Sequence, residues 1–140
     1  MNMATQAAAP ERLILKPEYS LGHPVLDQQH AELLKLINQL SECIEKDNSD
    51  ESEEFHSILN DLMDLTKAHF YSEESFVGRQ GSLPASKYQA SCEEYEERMT
   101  HFLFSATFGI VDKSGLAQYL SGWWLQHIQD MAMQAARNKS

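Results

Sequence analysis

The stretch Ala68-His69-Phe70-Tyr71-Ser72-Glu73-Glu74 decides the fold. His69 and Glu73 are four residues apart, so on a helix they stand on one face. Phe55, Ile58, Leu62, Leu65 and Phe76 give that face an apolar character, in a helix running from about Ser52 to Val77. Two metal-ligand side chains turned into a helical core are costly to desolvate unless bonded partners or an ion satisfy them. What the other segments bring to that face therefore decides both the architecture and the chemistry.

Upstream, Gly22-His23-Pro24 punctuates the chain, and proline suits the first turn of a helix. Leu26, His30, Leu33, Ile37, Leu40 and Ile44 then recur at four-three spacing, one apolar stripe with a histidine set into it. The run Asp47-Asn48-Ser49-Asp50-Glu51-Ser52 is a polar connector that supplies a helix N-cap. Downstream, Gly78 to Pro84 reads as a loop. A third helix starts near Pro84 with the stripe Tyr88, Cys92, Tyr95, Met99, Phe102 and Ala106, while Glu93, Glu94, Glu96, Glu97 and Arg98 form a solvated face. Lys113-Ser114-Gly115 breaks the pattern, and a fourth helix carries Leu116, Leu120, Trp124, His127 and Met131 on one face.

Four amphipathic helices with short connectors and no strand-like alternation predict an all-α, antiparallel up-down four-helix bundle. Its expected limits are residues 21–134, with an N-terminal arm over 1–20 packed at Leu13 to Leu15 and a frayed tail over 135–140.

Composition sets the outer bounds. A chain of 140 residues with 42% hydrophobic content suits one domain with a proper core. Eleven basic residues against 21 acidic ones, a formal net charge of −10, argue against nucleic acid or an anionic membrane as partner. Cys43 and Cys92 make no disulfide framework. No secretory leader is read at the N-terminus, and no uncharged apolar run reaches the ~18 residues of a membrane span. The expectation is a cytoplasmic protein whose protein partners the sequence does not name.

His30, His69 and His127 each lie on the inward stripe of a different helix, and Glu73 joins them. A single such histidine is most simply a bonded core residue. Three of them with a carboxylate, facing one core, are the way bundles assemble metal sites. A His/His/carboxylate set is also that of a non-haem ferrous site with open positions. Spacing does not choose between iron and zinc. His23, in the lead-in loop, and His56 and His101, off the stripes, read as solvated or half-buried. Trp123-Trp124 reads as core packing and a helix edge. No acid–base pair, catalytic triad or phosphate loop appears, so an enzyme is not expected.

The residues resemble the hemerythrin family, specifically its bacterial members, over about residues 18–134. Tyr19-Ser20-Leu21-Gly22-His23-Pro24-Val25-Leu26-Asp27-Gln28-Gln29-His30 is similar to the family's aromatic-Ser-x-Gly lead into Asp-x-Gln-His. His69-Phe70-Tyr71-Ser72-Glu73-Glu74 resembles its His-Phe-x-x-Glu-Glu segment, and Trp123-Trp124-Leu125-Gln126-His127-Ile128 its Trp-Leu-x-x-His-Ile segment. The resemblance implies a non-haem diiron site that binds dioxygen reversibly, held by five histidines and two bridging carboxylates. Carried over, His30 and His69 serve one iron, Glu73 bridges, and His127 serves the other iron.

The chain departs from that pattern on its third helix, where the family's His-x-x-x-His pair falls on Tyr88 and Cys92. The second bridging carboxylate falls on Ala132, and Asp130 points about 200° away from that position. Tyr88 and Cys92 are either additional ligands, as phenolate and thiolate, or core residues filling the space. The expectation is an altered site at His30, His69, Glu73 and His127, holding mononuclear or atypically dinuclear iron for dioxygen or another small diatomic ligand. Zinc, or a metal-free bundle used as a regulatory or protein-interaction module, is the alternative.

Overall fold

The computed structural model describes residues 12–46, 52–80, 85–106, 108 and 112–138, with the side chains of 79, 80, 85, 106 and 138 not described. A 3-10 turn at Pro17–Tyr19 precedes four helices: α1 (Pro24–Lys46), α2 (Glu53–Gln80), α3 (Ala85–Ala106) and α4 (Lys113–Asn138). These long helices, joined by short connections, make the four-helix bundle, and no strand occurs among the described residues.

The stripes read from sequence set the inward faces of α1 and α4, whose named positions are all buried. On α3, Tyr88, Cys92, Tyr95 and Met99 are buried and Phe102 is half-buried; the side chain of Ala106 lies outside the described residues. On α2 the phase is corrected. Phe55, Leu59, Leu62, Thr66, His69, Glu73 and Phe76 form a four-three run of buried positions, with Val77 buried beside its end, whereas Ile58 and Leu65 sit half-buried at its border. Thr66 was passed over because it is polar; its hydroxyl donates to the Leu62 carbonyl at 2.7 Å, which lets it turn inward.

Two helix boundaries also differ from expectation. Gly78 does not open a loop but lies inside α2, which continues to Gln80; residues 81–84 of that expected loop lie outside the described residues. Lys113-Ser114-Gly115 does not break a helix but forms the first turn of α4. The reason is Asp112, whose Oδ1 accepts the Gly115 N–H at 2.9 Å as an N-cap. A side chain at Gly115 would run into that carboxylate. At its other end α4 runs to Asn138, with Ala135 buried.

Ser52 caps α2, its hydroxyl accepting the Phe55 N–H at 3.2 Å. The arm is extended over 12–16 and tied to the bundle. The Asn38 side chain accepts the Leu13 N–H at 2.8 Å and donates to the Leu13 carbonyl at 2.9 Å. Leu13, Leu15 and Tyr19 pack on the main core, and Gln129 donates to the Tyr19 hydroxyl at 2.9 Å.

The apolar interior falls into two clusters. The larger holds Leu33, Ile37, Leu62, Tyr95, Leu120 and Trp124 among others; the smaller holds Leu21, Leu26, Phe76, Tyr88, Cys92, Met131 and Ala132 among others. On α1, α2 and α4 the switch from one cluster to the other passes through a buried polar residue.

Asp112→Ala is expected to cost about 1 kcal/mol through loss of the cap. Thermal unfolding followed by circular dichroism should show Tm falling by roughly 3–5 °C. An unchanged Tm would mean that the cap does not hold the start of α4.

Candidate metal centre

The polar layer between the two clusters is built from three helices. His30 stands between Leu26 and Leu33 on α1, His127 between Trp124 and Met131 on α4, and His69 and Glu73 one turn apart on α2. His30, His69 and Glu73 are fully buried and His127 is 8% exposed. Glu73 lies at the centre. Its Oε2 is 3.2 Å from His30 Nε2 and 2.8 Å from His69 Nε2; its Oε1 is 2.7 Å from His127 Nε2. The four donor atoms lie within 4.8 Å of one another. That is close to the ~4.2 Å spanned by two ligands on opposite sides of one cation with bonds of about 2.1 Å.

Electrostatics follow from that crowding. Burial alone would raise the Glu73 pKa, but the His127 charge and the bonds from His127, His30 and His69 outweigh it and hold the carboxyl well below its ordinary range. His30 moves the other way from an exposed histidine: burial lowers its pKa against the opposing Glu73 bond, which favours the neutral, ligand-competent imidazole. Its Nδ1 is buried without a hydrogen-bond partner among the described residues.

His69 carries the most specific signal. Its Nδ1 lies 2.8 Å from Gln29 Oε1. With the amide carbonyl accepting, Nδ1 holds the proton. Nε2, facing Glu73, then either carries a second proton and makes an imidazolium ion pair or offers a lone pair. A lone pair set against a carboxylate oxygen is repulsive unless a cation offsets it. An imidazole whose far nitrogen donates to a fixed carbonyl is also how metal-bound histidines are oriented. The donor set and this buttress fit a metal ion.

The remaining candidates separate. Tyr88 joins the layer: its hydroxyl donates to Glu73 Oε1 at 3.1 Å, and burial followed by the Glu73 charge raises its pKa and keeps it a phenol. Cys92 is buried in the smaller core, outside the grouped donors. Burial pushes its thiol up to about 12. Ala132 is buried beside them, while Asp130 is exposed and accepts from Gln126 at 2.9 Å. His56 and His101 are exposed. His23 precedes α1, and its Nδ1 accepts the Leu26 N–H at 3.3 Å.

Three supporting residues were given no role at the site from sequence. Gln29 orients His69. Asp27 fixes the lead-in loop, accepting the Leu21 N–H at 2.8 Å and the Ser20 hydroxyl at 2.6 Å; Gly22, at φ 71°, makes the turn between them. Trp123 stacks on His127, with centroids 4.8 Å apart and planes 11° apart. Trp124, fully buried, donates to the Tyr95 hydroxyl at 3.1 Å and packs with Phe70 over the same side. Position in the Asp-x-Gln-His segment was the available signal for Asp27 and Gln29.

A four-helix bundle with a buried cluster of three imidazoles around one carboxylate defines a metal-site type of helical protein. Residues 21–134 match the family model described as Hemerythrin HHE cation binding domain, and the chain belongs to that family. It is also similar to a bacteriohemerythrin of Stenotrophomonas maltophilia (strain R551-3), 22% identical over 117 residues that cover 84% of this chain and 74% of that protein. No solved structure matches. Among the described residues, no helix is long and apolar enough to cross a membrane.

In the metal-free chain the displaced groups act on stability with one sign. The unfolded His30 takes up its proton near 6.5 and the unfolded Glu73 near 4.5, whereas both folded values are lower. The unfolded state therefore binds more protons in each window, and stability falls on acidification. Urea midpoints of chelator-treated protein should decline below pH ~6.5 and again below ~4.5. A midpoint that rises between pH 6.5 and 5 would contradict the assignment.

Proposed function

We propose that this protein binds non-haem iron at His30, His69, Glu73 and His127 and uses it to bind dioxygen or another small diatomic ligand, in oxygen binding or oxygen and redox sensing. The observation that carries this reading is the division of the cluster by Glu73. Oε2 faces His30 and His69, while Oε1 faces His127 and Tyr88. The first half is a complete His/His/carboxylate set of the kind that leaves positions open on ferrous iron. The second half pairs one imidazole with a phenol.

Iron, when bound, supplies the redox-active centre with room for a diatomic ligand. The chain does the rest. Gln29 fixes the His69 tautomer, Glu73 offsets cationic charge in a site closed to bulk water, and Trp123 holds the His127 ring in plane. A single ion would be held by His30, His69, Glu73 and His127; an atypical pair would draw on Tyr88 as well. Zinc suits the same nitrogen and oxygen donors. The role assigned is ligand binding rather than turnover, and the relative named bacteriohemerythrin supports it.

A second reading has its own observation. The contacts of Glu73 with His30, His69, His127 and Tyr88 satisfy its carboxylate without metal, which suits a bundle used as a regulatory or interaction module. One set of measurements separates the two. After anaerobic reconstitution with ferrous iron and desalting, the chain is expected to retain stoichiometric iron, and His69→Ala to lose it. Gln29→Leu, which leaves all four donors in place, should weaken binding by roughly 10–100-fold. In a dinuclear site a Tyr88 phenolate on ferric iron adds a broad visible band that Tyr88→Phe removes. Failure to retain any metal would overturn the first reading in favour of the second.

A further inference from the structure

The buried cluster needs a way in from solvent, since none of its four members is more than 8% exposed. A cleft of about 470 Å³ runs between α2 and α3, and Tyr88, Phe70 and Cys92 form part of its wall. Tyr88 is the partition: the residue that lines the cleft also places its hydroxyl 3.1 Å from Glu73 Oε1. One side-chain rotation thus separates the cleft from the Oε1 half of the cluster.

Two further features of the cleft agree. Gly78 lines it from the interior of α2, where glycine costs ~1 kcal/mol relative to alanine. A Cβ added there would meet nothing within 4 Å. Packing does not call for this glycine, and its absent side chain keeps the cleft open. Among the described residues, Glu74, Glu93 and Glu96 also line the cleft, against the ammonium of Lys67. A recess with that balance concentrates cations and speeds their capture.

We infer that the α2–α3 cleft is the route by which divalent cations reach the buried cluster, held open by Gly78, charged by Glu74, Glu93 and Glu96, and gated by the Tyr88 ring. The inference rests on the metal-binding reading above but concerns rate rather than affinity. Entering ions exchange water for carboxylate oxygens at the mouth, pass the Tyr88 ring, and meet Glu73 Oε1 and His127 first.

Stopped-flow loading of the full-length, metal-free chain with Co²⁺ tests this, with the quenching of Trp123 and Trp124 fluorescence as the signal and equilibrium dialysis for the final occupancy. Gly78→Phe fills the cleft without removing any donor and replaces a mid-helix glycine, so Tm should hold or rise. Its loading rate should fall about tenfold or more while the final Co²⁺ occupancy stays that of the wild type. Replacing Glu74, Glu93 and Glu96 together by Gln should slow loading at low ionic strength by about tenfold, a difference that shrinks as salt is raised. Wild-type rates in both variants, with Co²⁺ bound normally, would overturn the route and leave the metal reading standing. A wild-type chain that binds no Co²⁺, Zn²⁺ or Fe²⁺ at equilibrium would overturn both.

Discussion

One buried carboxylate organises this bundle. Glu73 is fully buried, and an ionised carboxyl in a helical interior is sustained only when its neighbours offset the lost hydration. Three imidazoles and a phenol do so, contributed by all four helices: His30 from α1, His69 from α2, Tyr88 from α3 and His127 from α4. The helices must then agree in height and rotation at one level. The apolar residues above and below that level form two separate clusters, because a polar layer interrupts the oil-like contacts that would otherwise join them. Removing one partner while leaving Glu73 would cost more than the lost bond, since the charge would remain buried and less compensated.

Around this layer stand residues that touch it on one side only. Gln29 reaches across the α1–α2 seam to His69, Trp123 lies flat on His127, and Asp27 secures the loop that leads into α1. Each restricts a ring or a backbone that would otherwise have several orientations, and a cluster of neutral donors is useful to an ion only when its lone pairs converge. The single-file Asp27-Gln28-Gln29-His30 therefore carries three distinct tasks: anchoring the loop, orienting a histidine on another helix, and supplying a histidine itself.

The architecture and the cluster's members were legible because both depend on helical period. Leu26 to Ile44 and Leu116 to Met131 bury every position of the stripe read from spacing, and His30 and His127 ride on those stripes. The phase of α2 was not legible, because Ile58 and Leu59 are equally apolar neighbours and Leu65 is more apolar than Thr66, which hides its hydroxyl by bonding within its own helix. Gly78 and Lys113-Ser114-Gly115 suggested breaks on composition; a cap at Asp112 and continuous helical bonding through Gly78 override those weak local preferences. The contacts of Gln29 and Trp123 were not legible for another reason, although the Asp-x-Gln-His segment marked the position of Gln29. Their roles depend on how far each helix is rotated against its neighbour, and no single helix's period encodes that.

Tyr88 shows how the altered position changes the site's logic. The hemerythrin pattern has histidine there, a neutral donor that can ligate without losing a proton. A phenol ligates well only after giving one up, and burial together with the Glu73 charge raises the cost of doing so. Tyr88 is instead a hydrogen-bond donor to Oε1, which it shares with His127, while His30 and His69 share Oε2. A cation placed beside Oε1 would lower that cost, because its charge would offset both the phenolate and the carboxylate. Ligation by Tyr88 would thus be coupled to loss of its proton. The half made of His30, His69 and Oε2 contains no phenol and would need no such step.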